Sequence, residues 1–180
     1  MKLSFLVSDE VRKHRSGDLQ DIPIAKGGML KYYVDEANRW PELDEQLPRG
    51  AWDEVSEGIR RLARAHNIPL RGVKTGPPGP RPPVRLCPVY GCRPTQAGFD
   101  HIVINMDDAS WLTVAHEVAH TYCTSFLSPD QRGYGFHNSV HARVVDRFAA
   151  WIVAQGWHKG TLAHELALKE NKRSSNRERF

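Results

Sequence analysis

Cysteine is scarce in this chain: Cys87, Cys92 and Cys123 are the only three in 180 residues. So few, and an odd number, exclude a disulfide framework. Cys87 and Cys92 bracket CPVYGC, but no second cysteine pair follows to complete a thiolate metal site, so they read as ordinary thiols flanking a turn. Also missing is any apolar run near the roughly 18–20 residues that span a bilayer, so no membrane partner is expected. The opening MKLSFLVSDEVRK reaches Asp9 and Glu10 after a very short apolar stretch and offers no small-residue cleavage site. No secretory signal is read there, and the expected compartment is the cytoplasm. Internal repeats are absent too.

What is present suits one folded domain with short extensions: 40% hydrophobic and 26% charged residues supply an ordinary core and surface. The net charge of +4 is mild, but its distribution is uneven. Arg60, Arg61, Arg64, Arg71, Lys74, Arg81, Arg85 and Arg93 follow one another with no Asp or Glu between them. Such a stretch is a solvated surface or a patch that meets phosphates, so a DNA contact through residues 60–93 stays open as a partner. It has little interleaved aromatic content, which counts against a base-stacking platform.

Periodicity and punctuation organise the chain. Residues 1–26, set off by Gly27-Gly28, read as an N-terminal arm. A short helix is expected over 29–39, stopped by Pro41. A stronger one is expected over 51–66, where Trp52, Val55, Ile59, Leu62 and His66 share a face. Leu70 to Lys74 reads as a strand, and the proline-rich 76–83 as a loop, because proline lacks the N–H donor that helices and central strands need. Residues 84–90 read as an edge strand, and the β-branched 101–106 as a better one. A helix capped by Asp108 or Ser110 runs to about Phe126. Another covers about His137 to Ala154, with Val140, Val144, Phe148, Trp151 and Ile152 on its apolar side. A short helix follows over 161–169. The order predicts an α+β domain over 27–168 with a small, mostly antiparallel sheet, then a basic, disordered tail over 169–180.

The chemistry concentrates in WLTVAHEVAHTYC. His116, Glu117 and His120 form HExxH inside a predicted helix. Positions i and i+4 share a helix face, so His116 and His120 can present two imidazoles to one Zn²⁺. Glu117, one position round, can reach a metal-activated water as general base without being a ligand. With nine His and ten Glu in the chain, chance supplies roughly 0.025 such matches. The bland alternative is a pair of core histidines beside a surface glutamate.

Catalytic zinc takes three protein ligands. The downstream candidates are His137, His141 and Asp146. A glutamate ligand from the next helix is excluded, since no Glu occurs between Glu117 and Glu165. His137 stands out because it follows a glycine-containing loop, which lets the chain turn back over the first pair.

HEVAH, then a loop, then HNSVH opening a helix, with HIVIN before it, resembles the SprT-like (Spartan-type) zinc metallopeptidases over about residues 51–155. That resemblance implies a minimal zincin-like α+β fold, with the small sheet packed on the HExxH helix and the helices after it. It also implies zinc held by His116, His120 and His137, with Glu117 as catalytic base. The implied function is zinc-dependent hydrolysis of peptide bonds in a protein or peptide substrate. His141 departs from the family's usual aromatic or apolar residue. His141 and Tyr134 are candidates to hold the oxyanion or to support the ligands. The expected substrate path is an extended peptide along the strand 101–106. Two other classes compete: a non-catalytic zinc-containing structural or virion-type protein that keeps a peptidase-like fold, and a nucleic-acid-associated module built on 60–93.

Overall fold

A computed structural model describes residues 24–75, 82–91, 95–98, 100–127 and 137–177. Helix α1 spans Ile24–Arg39, α2 Trp52–His66, α3 Trp111–Phe126, α4 Ser139–Ala154 and α5 Thr161–Arg177. Strands β1 (Arg85–Val89), β2 (Gln96–Ala97) and β3 (His101–Asn105) make one sheet in the order β1-β3-β2. The domain is α+β, as its sequence predicts. Among the described residues, no helix is long and apolar enough to cross a membrane.

Several boundaries move. The glycine pair at 27–28 lies inside α1 rather than ahead of it. Glycine weakens a helix by about 1 kcal/mol relative to alanine, which docking can offset, so the pair does not mark a boundary. Of the expected arm, residues 1–23 lie outside the described residues. Helix α1 stops at Arg39 because Pro41 disfavours helical backbone at Trp40, which sits at φ −130° and ψ 56°. Helix α2 matches its expected face, burying Val55, Ile59 and Leu62, and ends on Asn67 at φ 58°. Asparagine is one of the few non-glycine residues that tolerates this left-handed backbone. Helix α5 runs on to Arg177, past residue 169, where a disordered tail is expected from sequence.

The sheet is mixed rather than mostly antiparallel. β1 and β3 run parallel over five residue pairs, from Arg85 opposite His101 to Val89 opposite Asn105. β2 pairs antiparallel with β3 over two, Gln96 with Val103 and Ala97 with Ile102. The chain leaves β1, passes to the far side of β3 to form β2, then turns back. β3 is therefore central and β2 is the second edge. Leu70 contributes only an isolated bridge to Val84, not the expected strand.

Two caps fix the helices that matter for the site. Ser110 Oγ accepts from the Thr113 N–H at 3.1 Å and starts α3. Asn138 Oδ1 accepts from Val140 and His141 N–H at 2.9 and 3.1 Å and starts α4, leaving His137 just ahead of the helix. Helix α3 is buried on nearly every side. It packs against α4, whose buried face is His141, Val145, Phe148, Ala149 and Ile152. That face is turned from the expected Val140/Val144 stripe because His141, not Val140, points inward. Gly58 admits the Trp111 ring so closely that an added Cβ would lie 2.7 Å from it. Trp111 in turn packs on Trp157, with ring centroids 5.1 Å apart.

Candidate functional site

Helix α3 brings His116 and His120 to one face, one turn apart. The chain then returns so that His137, at the mouth of α4, faces both. His116 Nε2 lies 3.1 Å from His137 Nε2, and His120 Nε2 lies 3.2 Å from each of the other two. Three imidazole nitrogens around a tetrahedral ion with bonds of about 2.0–2.1 Å stand roughly 3.3–3.4 Å apart, so this triangle fits one metal ion closely.

His141 also belongs to the cluster: ligand atoms of His116, His120 and His141 lie within 4.8 Å of one another, close enough to hold a metal ion. The two triads share His116 and His120, and the hydrogen bonds separate them. His141 Nε2 lies 3.3 Å from the His116 carbonyl, which can only accept, so Nε2 carries the proton. The remaining lone pair on Nδ1 accepts from the Tyr32 hydroxyl at 2.6 Å. Both His141 nitrogens are thus engaged by protein, and its ring stacks on His120 at 3.9 Å between centroids. The tighter triangle is the one with His137.

The other side of His116 is fixed by a residue its sequence does not advertise. His116 Nδ1 donates to Glu36 Oε2 at 2.8 Å, and Glu36 is fully buried. A carboxylate can only accept, so Nδ1 is protonated and Nε2 turns its lone pair to the centre, an arrangement common behind metal-binding histidines. Among the described residues, Glu36 Oε1 is buried without a hydrogen bond. A buried carboxylate so poorly satisfied favours a cation nearby.

Burial and the neighbouring histidine charges push His120 and His141 strongly down in pKa. Burial, then His116, lowers His137 to about 4. These three imidazoles are therefore neutral at physiological pH, the form that binds metal. Burial alone would lower His116 as well, but the Glu36 and Glu117 charges outweigh it and raise its pKa. Glu117 is only 7% exposed. Burial raises its pKa to about 6, against the pull of His116 and of a hydrogen bond from the Ala97 backbone. A carboxyl group near that value exchanges protons readily around neutrality.

Glu117, His120 and His137 open onto one cleft of about 220 Å³, walled by Tyr33, Thr124 and the segment Thr95 to Gly98 that contains β2. Thr95 is tied to the sheet by accepting from the Asn105 N–H at 2.8 Å. Tyr33 places its hydroxyl 3.2 Å from His137 Nε2. Burial and the Glu117 and Glu36 charges hold its pKa well above the usual phenol value, so it keeps its proton.

The sequence candidates fall out as follows. His116, Glu117, His120, His137 and His141 come together; Tyr134 lies outside the described residues. Asp146 does not join them: it accepts from Arg39 Nε at 2.9 Å and Trp40 Nε1 at 2.8 Å, tying the end of α1 to α4. Tyr32, Tyr33 and Glu36 join the cluster without being singled out by the sequence; their shared placement on one helix, with Glu36 four residues after Tyr32, does not distinguish them from surface residues. The basic stretch divides. Arg61 pairs with Glu57 and Glu165, and Arg64 reaches Glu57, while Arg60, Arg71 and Arg85 surround a separate surface pocket. Arg81 and Arg93 lie outside the described residues. The chain matches no protein-family model, and neither curated proteins nor solved structures match it.

Proposed function

We propose that this chain is a zinc-dependent metallopeptidase of SprT-like character, acting on peptide bonds within protein substrates. The observation that carries the reading is the convergence of three imidazole Nε2 atoms within 3.1–3.2 Å of one another beside a buried glutamate on the same cleft. His116, His120 and His137 would hold the ion, and His141 would steady His120 from behind. Zinc held there would supply a Lewis acid that lowers the pKa of water toward about 7 and polarises a carbonyl.

Glu117 takes a proton from the water as its oxygen adds to the scissile carbonyl carbon. It delivers that proton to the amide nitrogen as the C–N bond breaks, so the products are a carboxylate and an amine. An extended substrate lies along β2, which among the described residues is an edge strand bordering the cleft; β3, paired on both sides, is not open to it.

The test is elemental analysis beside cleavage of a quenched fluorescent unfolded protein. Glu117→Gln keeps the metal and loses about 10²–10⁴-fold in rate. His116→Ala and His137→Ala lose both metal and activity, and His141→Ala retains metal. A Glu117→Gln variant as active as the parent would sink the reading, as would a purified protein free of metal.

A further inference from the structure

The peptidase reading leaves one position unfilled: a donor for the carbonyl oxygen of the bond being cleaved. Glu117 as carboxylate only accepts. His141 has spent both nitrogens, on Tyr32 and on the His116 carbonyl, and it does not border the cleft.

Tyr33 does border it. Its ring is held against His116 and His137, at centroid distances of 5.1 and 5.4 Å, so the phenol has little freedom to swing away. The hydroxyl sits 3.2 Å from His137 Nε2 and, among the described residues, makes no other hydrogen bond. That nitrogen also faces His116 and His120 Nε2 in the metal triangle. An imidazole nitrogen has a single lone pair, and it cannot both bind a metal ion and accept from Tyr33. With the lone pair committed to the ion, the Tyr33 O–H must find another acceptor, and the space in front of it is the cleft that Glu117 shares. An oxygen placed in that cleft can take this donor.

We propose that Tyr33 is a catalytic residue whose hydroxyl donates a hydrogen bond to the scissile carbonyl oxygen as negative charge develops there. This inference rests on the peptidase reading above. Tyr33 keeps its proton throughout and exchanges no atoms with the substrate; it favours the charged oxygen over the ground-state carbonyl, which is what lowers a barrier.

The experiment compares zinc-loaded Tyr33→Phe with the parent in three readouts: zinc affinity by chelator competition, steady-state peptide cleavage, and calorimetric binding of a peptide phosphonamidate, whose tetrahedral anionic oxygens imitate the charged carbonyl. The expected result is unchanged zinc affinity, KM within about threefold, kcat lower by roughly 10²–10³, and probe affinity lower by about 10-fold or more. Equal kcat and equal probe binding in the two proteins overturns the assignment while leaving the peptidase reading intact. A parallel fall in zinc affinity and kcat overturns it in favour of a metal-holding role. A parent protein that neither cleaves peptide nor binds the probe overturns both readings.

Discussion

Glu36→Gln is the sharpest probe of how the histidine cluster is held. The substitution keeps the side chain's shape and one oxygen to accept from His116 Nδ1, and removes only the negative charge. The parent contact is a 2.8 Å charge-assisted bond between side chains 0% and 4% exposed. Bonds to charged groups contribute about 1.5–3 kcal/mol and neutral ones about 0.5–1.5, so the exchange removes roughly 1–1.5 kcal/mol from the bond itself. The new amide also places N–H groups where Oε1 has no partner, which adds to the loss. The expected outcome is a 10–100-fold weaker grip on zinc, about 1.4–2.7 kcal/mol. Competition against a chromophoric chelator measures it directly. The metal-free protein should respond differently. There the buried carboxylate carries a desolvation penalty, so its neutral replacement changes unfolding stability by no more than about 1 kcal/mol. Equal zinc affinity in parent and Glu36→Gln would refute the reasoning, as would a loss of stability confined to the metal-free form.

Two further outcomes follow from contacts away from the ligands. Asp146→Ala strips the acceptor from Trp40 Nε1 and Arg39 Nε, so denaturant unfolding should lose about 1–3 kcal/mol while Asp146→Asn, which still accepts, loses less; identical curves for parent and Asp146→Ala would refute the tie between α1 and α4. Among the described residues, His66 has both ring nitrogens buried without hydrogen-bond partners, and burial, then the Arg147 charge, holds its pKa below 6.5. The unfolded chain binds this proton more readily than the folded one, so His66 costs stability as pH falls below about 6.5. His66→Phe, which keeps the ring contact with Phe148, should flatten the decline of melting temperature between about pH 6.5 and 5 relative to the parent, and an unaltered slope would count against it.

The legible part of the site is the part with a period. His116 and His120 are one helical turn apart, and that spacing alone puts them on one face. His137 could be picked out because the chain must reverse after α3. Glu36 could not, because a single glutamate in a short amphipathic helix looks the same whether it faces water or a histidine 80 positions later. Tyr32 and Tyr33 were hidden for the same reason. In the fold, the β-branched run at 101–106 announced a strand, but strand direction leaves no mark in side-chain alternation, so the parallel β1–β3 pair was unreadable. β2 holds only Gln96 and Ala97, which carry no strand preference and are set in place by pairing with β3 and by the Thr95–Asn105 bond. The buried face of α4 differs from the expected stripe because His141 is polar and is not counted as core from sequence, whereas its contacts with Tyr32, His116 and His120 hold it inward.

Helix α1 makes the histidine cluster a product of the whole chain rather than of HEVAH. Its three hydrogen bonds with the cluster bridge 80 to 109 positions of sequence. A ribosome must therefore synthesise well past α3 before the cluster has its full set of neighbours, so any metal loading there would be a late event in biogenesis. The same wiring creates a vulnerable point: a single protease nick between α1 and α2 would let the first helix drift off and unload the ion without cutting any segment that binds it.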